Sequence, residues 1–331
     1  MTRLRVGLIG AGGISRVHAD AWRALGAEGY VTSVQGAEEI AEEFGFQAVD
    51  DVDALLGLVD VVDIVTPSST HADLALRAIA AGRHVICEKP LASTSTDAAR
   101  VVRAAEEAGV RLFPAHVVRY FGEYLRIKQA IDSGRLGDIA VQRFSRAGSA
   151  PQTPWFFRES TGGGLIRDLM IHDIDQAIWF AGPVASVYAV QNPPTVDDVV
   201  PAPVTSHVVL THANGVISHL HASWVASGMP FRTSVEVSGA SGRMRHDSAD
   251  DRVSRTDTAT VAAATDYLPP MSPQESPYYA EIADFVAALG TGADVRITPA
   301  EGVEAVAVAE AAYASIAAGT PIALDTLELV R

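Results

Sequence analysis

A glycine-rich segment between the first strand and the first helix constrains the fold of this chain more than any other feature. Residues Val6–Ile9 are apolar, and the segment Gly10–Ser15 (GAGGIS) follows them directly, before a helical pattern over Ile14–Leu25. In such a turn the first glycine permits the tight bend and the second lets the backbone approach a pyrophosphate. The helix N-terminus then supplies free N–H groups. The residues predicted to bind a dinucleotide here are Gly10, Gly12, Gly13 and Ile14.

The pattern that follows alternates between strand and helix as far as about residue 117. Such alternation predicts an α/β domain with a doubly wound parallel sheet and right-handed crossovers. The predicted strands are Val6–Ile9, Tyr30–Val34, Val61–Val65, His84–Cys87 and Val110–Phe113, and the predicted helices are Ile14–Leu25, Ala37–Phe44, His71–Ala81 and Thr96–Ala108.

The composition narrows the class of protein. A chain of 331 residues is long enough for two domains, and we expect a dinucleotide-binding domain at 1–118 and a substrate-binding and oligomerisation domain at 119–331. The net charge of −15 argues against nucleic acid or an anionic membrane as a partner. A single cysteine, no apolar leader and no apolar run of about 18 residues predict a cytoplasmic, soluble protein.

Two positions depart from the dinucleotide fingerprint. Ser15 replaces the third glycine, and Gln35 stands after the second strand where an acidic residue usually binds the adenosine ribose. The lost charge-assisted hydrogen bond is worth about 1.5–3 kcal/mol, which would weaken NAD binding by roughly 10- to 150-fold. Gln35 offers a neutral replacement, and Arg16 is an alternative contact for a 2′-phosphate, although no basic cluster follows the second strand. The sequence therefore does not decide between NAD and NADP as the cofactor.

Lys89 is one of only two lysines among 25 basic residues, the other being Lys128. It follows the apolar strand His84–Cys87 and precedes Pro90, so it should leave the carboxyl edge of the sheet, where open α/β sheets bind ligands. A lysine can exchange its proton, whereas an arginine cannot. The alternative is an ordinary surface lysine.

The second domain contains a candidate acid–base pair. After the glycine run Gly162–Gly164 a helix is predicted as far as Ala181, and on it Asp168, His172 and Asp175 share one face. A carboxylate one turn from an imidazole can orient the ring and raise its basicity. Asp173 is predicted to cap the helix or face solvent. A metal pair is the competing interpretation, but further ligands at suitable spacing are missing, so no metal site is predicted.

Beyond residue 183 the apolar pattern changes to alternation. Thr205–Ala213 and Val216–Trp224 flank Asn214-Gly215, a strong hairpin signal. A further strand at Val235–Val237 completes a largely antiparallel sheet with one face packed on helices. Other predictions for this region are surface positions for His219 and His221, a long excursion at Asp247–Thr265, and terminal helices at Gln274–Leu289 and Pro299–Ala318.

Together these segments resemble the glucose–fructose oxidoreductase / inositol dehydrogenase / rhizopine-catabolism (Gfo/Idh/MocA) family of NAD(P)-dependent oxidoreductases. The resemblance implies a Rossmann domain followed by an α+β domain with a large open sheet, which in this family meets a second subunit. A homodimer or homotetramer is therefore expected. The segments that carry the resemblance are the N-terminal glycines, Val65–His71, Glu88–Pro90, Ile131–Ile139, Gly162–Asp175 and Tyr278–Phe285.

The resemblance also implies roles for individual residues. Thr66 and Pro67 would line the nicotinamide–ribose side of a cleft with His71 close by, and Glu88 and Lys89 would contact the ribose. His116 and Arg119 would lie near the nicotinamide, and Trp155 and Arg158 would belong to a segment that covers the cleft. The residues placed in the catalytic role are Lys89, Asp168 and His172.

The implied reaction is hydride transfer between a nicotinamide cofactor, NAD or NADP, and a secondary alcohol of a sugar, cyclitol or related polyol. His172 would act as general base, Asp168 would orient it, and Lys89 would polarise the developing alkoxide across the cleft. Two alternatives stay open: a cofactor-binding regulator without turnover, and a lyase or glycosidase that uses transient oxidation with tightly bound NAD.

Overall fold

The computed structural model describes residues 3–249 and 275–324 of the chain. They form two units. The first contains the described residues of Met1–Phe121 and Pro270–Val303, and the second contains those of Gly122–Pro269 and Glu304–Arg331. The excursion predicted at Asp247–Thr265 lies outside the described residues except for its first positions.

The first unit is built on a six-stranded parallel sheet. Its strand order is β3-β2-β1-β4-β5-β6, so the order reverses between β1 and β4, and this is where open α/β sheets bind their ligands. The doubly wound sheet predicted from the alternation is confirmed, with two short additions, β3 and α3. The strands are β1 (Arg5–Ile9), β2 (Glu28–Thr32), β3 (Gln47–Ala48), β4 (Val61–Ile64), β5 (His84–Glu88) and β6 (Leu112–Ala115).

Two helices of this unit begin at a residue whose side chain caps the free N–H groups. Asp51 accepts a hydrogen bond from Ala54 N, and Thr94 accepts one from Asp97 N, which satisfies free N–H groups of the following helix. The helices that follow the strands are α1 (Gly13–Ala24), α2 (Ala37–Phe44), α3 (Val52–Leu56), α4 (His71–Ala80) and α5 (Ser95–Ala108).

The second unit contains a seven-stranded mixed sheet in the order β12-β11-β7-β10-β9-β8-β13. The pair β7 and β10 is parallel and the other neighbouring pairs are antiparallel. The hairpin predicted around Asn214-Gly215 is confirmed as β9 and β10. The strands are β7 (Ile139–Ser149), β8 (Val184–Asn192), β9 (Val204–His212), β10 (Ile217–Val225), β11 (Arg232–Gly239), β12 (Gly242–Asp247) and β13 (Ile322–Ala323).

Four further helices complete the described fold: α6 (Gly122–Asp132), α7 (Ile171–Ala181), α8 (Pro277–Thr291) and α9 (Pro299–Ala318). Although it comes late in the chain, α8 belongs to the first unit, where Phe285 is fully buried and stacks on Phe113 with ring centroids 4.9 Å apart. None of the helices in the described ranges combines the length and apolar character needed to cross a bilayer.

The two faces of the mixed sheet differ in exposure. Val208, Leu210 and Leu220 point to a buried face. On the other face Tyr188, Val190 and Ile217 are 39%, 46% and 41% exposed. The one-sided packing predicted for this sheet matches that difference, because an antiparallel sheet with one open face alternates buried and exposed side chains.

Candidate active site

The carboxyl edge of the parallel sheet brings four loops of the first unit side by side. Ile9 pairs with Ile64, Ile64 with Cys87, and Glu88 with Ala115. The chain therefore leaves β1, β4, β5 and β6 at neighbouring points of one edge. The predicted residues on these loops are Gly10, Thr66, Lys89 and His116.

The glycine turn after β1 has the shape that a pyrophosphate requires. Gly10 has a φ of +116°, and a Cβ there would lie 2.7 Å from the carbonyl oxygen of Val65, so only glycine fits. A Cβ at Gly12 or Gly13 would meet no atom within 4 Å, which leaves open space in front of the helix. Helix α1 has no side-chain cap and no acidic residue in its first turn. Its N–H groups can therefore bind an anion.

Ser15 and Ile14 follow in the first turn of α1. Ser15 is fully buried and its hydroxyl donates a hydrogen bond to the carbonyl of Gly12, so the serine fills the place of the third glycine without opening the packing. Ile14 is half-buried beside the turn. The residues present at this turn thus fit a dinucleotide.

The loop after β2 is acidic rather than basic. Gln35 is exposed, and Glu38 and Glu39 lie in the first turn of α2. The guanidinium of Arg16 forms ion pairs with Glu43 and, at 3.8 Å, with Glu39. Because these carboxylates already neutralise Arg16, this loop is a poor setting for a 2′-phosphate and a better one for a ribose hydroxyl.

His71 connects two of the loops at the carboxyl edge. It is 1% exposed, and its ring nitrogens lie 2.7 Å from the carbonyl oxygen of Pro90 and 2.9 Å from that of Thr66. The hydroxyls of Thr66 and Thr70 lie 2.7 Å apart, and Pro67 is exposed. In this unit His71 therefore orders the loops that carry Thr66 and Lys89.

Glu88 is the last residue of β5 and Lys89 follows it, but their side chains lie in different environments. The Glu88 side chain is buried and its Oε2 accepts a hydrogen bond of 2.9 Å from the backbone N–H of Lys89, whereas Lys89 itself is half-buried. Although burial favours the protonated acid, a hydrogen bond and a charge from His18 hold the pKa of Glu88 below its usual value.

His18 is a residue of this site that the sequence analysis missed. It lies on the buried face of α1 and contacts both Asp63 on β4 and Glu88 on β5. A signal was present, because the helical pattern of Ile14–Leu25 places His18 on the same face as the apolar Ala19 and Trp22.

The segment after β6 is deeply buried in the first unit. His116 is 1% exposed and Arg119 is fully buried. The Arg119 guanidinium donates to the carbonyl of Arg296 at 2.6 Å and to Glu301 at 2.8 Å. These partners all belong to the first unit, so Arg119 anchors the chain leaving β6 to the segment before α9 and to the first turn of α9.

In the second unit, the predicted continuous α-helix after Gly164 is wrong in its first turns. Leu165–Met170 is a π-helix that runs directly into α7. Gly164 has a φ of +62°, and the Tyr313 hydroxyl donates to the carbonyl of Gly163 and lies 3.3 Å from Ile166 N. This phenol holds the entry to the π-helical turn. Such turns are frequent at functional sites.

Asp168 lies in the π-helical turn and His172 at the start of α7. Both are half-buried, whereas Asp175 is 1% exposed. His172 and Asp175 both lie in α7, whereas the π-helical turn changes the rotation between Asp168 and His172 from that of the predicted α-helix. The catalytic roles of Asp168 and His172 stay predictions.

The expectation that Asp173 caps the helix or faces solvent is wrong. Asp173 is fully buried, and its carboxylate accepts hydrogen bonds of 2.8 and 3.2 Å from the guanidinium of Arg146 on β7. Burial raises the pKa of Asp173, and the charge of Arg146 opposes that rise. The pair attaches the start of α7 to the mixed sheet.

Trp155 and Arg158 belong to the loop that precedes the π-helical turn. The Trp155 ring stacks on Phe156 with centroids 3.8 Å apart. Arg158 is exposed and its guanidinium lies 3.8 Å from Asp198, while its backbone carbonyl accepts hydrogen bonds from Gly162 and Gly163. The loop is therefore folded onto the glycine run within its own unit.

The two hairpin histidines differ in their surroundings. His219 is exposed. The His221 ring lies 2.9 Å from the Ser145 hydroxyl and stacks on His207 at 4.7 Å. In the ranges that the structure describes, no three His, Cys, Asp or Glu side chains gather in a group that could hold a metal ion.

Comparison with known protein families gives matches in both units. A family model described as "Oxidoreductase family, NAD-binding Rossmann fold" matches residues 4–116. A second, described as "GFO/IDH/MocA C-terminal domain", matches residues 124–245. The resemblance drawn from the sequence motifs is confirmed, as is the Rossmann class of the first unit.

Individual relatives match over nearly the whole chain. Inositol 2-dehydrogenase of Rhizobium meliloti (strain 1021) is 30% identical, with 95% of this chain and 97% of that protein covered. D-apiose dehydrogenase of Paraburkholderia graminis is 30% identical, with 98% and 91% covered. The crystal structure of GenD2 from gentamicin A biosynthesis in complex with NAD is 27% identical with a TM-score of 0.85, covering 98% of this chain and 97% of that one.

Proposed function

Because this chain belongs to the GFO/IDH/MocA family of oxidoreductases with an NAD-binding Rossmann fold, we propose that it oxidises a secondary alcohol of a cyclitol or sugar, reversibly. The observation that carries the choice of substrate class is the near-full-length similarity to inositol 2-dehydrogenase and D-apiose dehydrogenase. Both of those proteins are named for the oxidation of polyhydroxylated compounds.

The proposed chemistry divides into a hydride and a proton. A bound nicotinamide ring supplies the acceptor for the hydride. The substrate C–H bond breaks with its electron pair, and the hydroxyl proton passes to the imidazole of His172. Asp168, four residues earlier in the chain, orients that imidazole, and the Lys89 ammonium stabilises the developing alkoxide. Positioned proton transfer of this kind contributes about 10²–10⁴-fold to rate.

The proposed contacts to the cofactor follow from the first unit. Gly10, Gly12, Gly13 and Ile14 hold the pyrophosphate at the N-terminus of α1, supported by the uncapped first turn of that helix. Thr66, Pro67 and Glu88 border the ribose and nicotinamide, with His71 and His116 behind them. Trp155 and Arg158 of the second unit are proposed to contact the cofactor or substrate.

We propose NAD as the preferred cofactor, because Glu38 and Glu39 begin α2 and Arg16 is already paired with carboxylates. A 2′-phosphate would meet negative charge there. The variant Gln35→Asp should bind NADH about 10-fold more tightly, since a charge-assisted hydrogen bond to the ribose adds about 1.5 kcal/mol. Fluorescence titration of NADH and NADPH measures both affinities. Tighter binding of NADPH than of NADH by the unaltered protein would contradict the preference.

A substrate panel tests the proposed reaction class. Inositols, pentoses, hexoses and sugar acids would each be incubated with NAD⁺ or NADP⁺, and the formation of reduced cofactor followed by absorbance. At least one cyclitol or sugar should be oxidised. Cofactor binding without turnover of any member would contradict the proposal and favour a regulator. Purified protein that carries nicotinamide and needs none added would point to transient oxidation instead.

Two variants test the proposed residues. Lys89→Ala and His172→Ala should each lower kcat by at least about 10²-fold, while the Kd of NADH changes little. The chain offers matched controls: Lys128, the other lysine, pairs with Asp132, and His219 is exposed on β10. Lys128→Ala and His219→Ala should keep kcat close to that of the unaltered protein. Near-normal turnover in both Lys89→Ala and His172→Ala would end the assignment.

We further propose that the chain works in the reducing cytoplasm as a homodimer or homotetramer that uses the open face of the mixed sheet. The single cysteine, Cys87, is buried, and that face exposes Tyr188, Val190 and Ile217. Analytical ultracentrifugation measures the assembly. A monomer at micromolar concentration, or an unchanged oligomer in Val190→Glu, would contradict this proposal.

A further inference from the structure

A buried histidine lies between two carboxylates directly behind Lys89. His18 Nδ1 is 2.9 Å from Asp63 Oδ2, and His18 Nε2 is 3.2 Å from Glu88 Oε1. His18 and Asp63 are fully buried and Glu88 nearly so. We infer that His18 is a positioning residue of the reaction, which fixes the Glu88 carboxylate and, through it, the point at which Lys89 leaves β5. This inference rests on the proposed role of Lys89.

The hydrogen-bond geometry requires a protonated ring. A neutral imidazole has one N–H donor and one lone pair, so one of its nitrogens would turn a lone pair toward a carboxylate oxygen. Both carboxylates also accept from other donors: Trp22 Nε1 donates to Asp63 at 2.7 Å, and Lys89 N donates to Glu88 at 2.9 Å. Although burial opposes it, the hydrogen bonds from His18 and Lys89 N hold the pKa of Glu88 below its usual value. Because each His18 nitrogen faces a carboxylate oxygen, we assign a proton to both of them.

The charges around the ring agree with this assignment. Burial disfavours a charged imidazole, but the charges and hydrogen bonds of Asp63 and Glu88 raise the pKa of His18 well above its usual value. The ring of Tyr278 on α8 packs against His18, with ring centroids 5.8 Å apart and planes tilted by 57°. With Lys89, the cluster contains two basic side chains, His18 and Lys89, and two acidic ones, Asp63 and Glu88.

The Glu88 carboxylate transmits the effect because each of its oxygens has a different partner. Oε1 faces His18, and Oε2 accepts the backbone N–H of Lys89. Without the imidazolium, two buried carboxylates would lose their shared counter-charge, and Glu88 would have to take up a proton or rotate toward water. Either change weakens its bond to the Lys89 N–H. A small displacement of a reactive group can cost about 10²-fold in rate.

The first experiment substitutes His18 by glutamine, which keeps the approximate size and one donor but not the charge. We expect kcat for the substrate found in the panel to fall by about 10- to 100-fold. The Kd of NADH should rise by a clearly smaller factor, because Glu88 is also proposed to border the ribose. The matched control is His84→Gln. His84 lies at the amino end of β5, the strand that carries Glu88, and its ring accepts a hydrogen bond from Arg111 N. That variant should keep its kcat.

The second experiment removes one anchor of the ring. Like His18→Gln, the variant Asp63→Asn should lower kcat. If His18→Gln does not fold, Asp63→Asn still tests the inference. The third measures ¹⁵N NMR signals of histidine-labelled unaltered protein, in which both His18 nitrogens should carry protons at neutral pH.

Three results would overturn the inference. One is a kcat of His18→Gln within about 3-fold of that of the unaltered protein, which is less than the tenfold loss expected. If His18→Gln does not fold, the same result in Asp63→Asn would count. Another is an equal loss of kcat and NADH affinity in His18→Gln, which indicates general damage to the fold. The last is a neutral imidazole signal for His18. Failure of the proposed function would appear separately, as absence of turnover of every member of the substrate panel by the unaltered protein. Failure of the proposed role of Lys89 alone would appear as normal turnover in Lys89→Ala.

Discussion

The two units hold their proposed reactive groups in different ways. In the first unit Lys89 follows a regular strand whose neighbours on both sides are paired in parallel register. In the second, Asp168 lies in a π-helical turn whose entry is held by Tyr313 and whose exit is followed by the buried Asp173. A regular sheet places a residue through local backbone pairing, whereas an irregular turn depends on contacts from distant side chains.

The buried charges of the two units also differ in kind. The first unit uses His18, whose ring loses its proton only as the pH rises toward its raised pKa. The second uses the pair Arg146–Asp173. Burial lowers the pKa of Arg146, but the charges and hydrogen bonds of Asp173 and Tyr124 outweigh burial and raise this pKa above its already high usual value. The comparison therefore predicts that the stabilisation from the charged cluster behind Lys89 depends on pH. The stabilisation from the Arg146–Asp173 pair near His172 should not.

Breaking the ion pair of the second unit should have the largest effect on stability. Asp173→Ala leaves the Arg146 guanidinium buried without its counter-charge and should cost about 3–5 kcal/mol of unfolding free energy. The matched control is Glu236→Ala, which removes the half-buried partner of Arg143, an exposed residue on the same strand as Arg146. This change should cost at most about 1 kcal/mol. Urea unfolding measures both. Similar losses of unfolding free energy in the two variants would show that the buried Arg146–Asp173 pair stabilises the fold no more than the Arg143–Glu236 pair does.

Removing the phenol that holds the π-helical turn should have an intermediate effect. Tyr313→Phe leaves the Gly163 carbonyl and the Ile166 N–H without this partner, at a cost of about 1–3 kcal/mol. We also expect a lower kcat with an unchanged NADH affinity, because the turn carries Asp168. Tyr188→Phe on the open sheet face is the control and should change stability by less than about 0.5 kcal/mol. Unaltered kcat in Tyr313→Phe would separate the turn from catalysis.

The pH dependence of the first unit is the smallest expected effect. Below the ordinary His pKa of 6.5 the His18 ring is charged in both the folded and unfolded states, so its interaction with the carboxylates contributes fully. As pH rises toward the raised folded pKa, this contribution falls by at most about 1.4 kcal/mol per pH unit. The stability difference between the unaltered protein and His18→Gln should therefore shrink through mildly alkaline pH. A constant difference would contradict a charged ring.

Asp173→Ala provides the contrast for that measurement. Since arginine keeps its proton throughout this range, the difference between the unaltered protein and Asp173→Ala should stay nearly level where the His18→Gln difference declines. A parallel decline in both would remove the distinction between the two kinds of buried charge.

Much of the first unit was predictable from the sequence. The parallel sheet followed from the alternation of apolar strands with helices, and the anion-binding turn followed from Gly10 and its position after β1. The position of Lys89 at the carboxyl edge followed from the strand that precedes it. Each of these inferences uses residues within a few positions of one another, where periodicity and turn chemistry determine the backbone.

The site in the second unit was less predictable. An α-helical period correctly indicated a helix as far as Ala181, but it placed Asp173 toward solvent and missed the π-helical turn. Asp173 is buried because Arg146, on a strand 27 residues earlier, neutralises it. A window of sequence along one helix contains no information about such a partner.

The sequence by itself determined the alternating architecture, the glycine turn and the strand end that presents Lys89, because these depend on local backbone preferences and on the burial of apolar faces. Only the tertiary structure decided the charge state of His18, the shape of the turn at Asp168 and the burial of Asp173. Their partners are far away in the chain: Asp63 and Glu88 lie 45 and 70 residues from His18, and Tyr313 lies 150 residues from Gly163. Hydrogen bonds and counter-charges over such separations exist only after the elements have packed together.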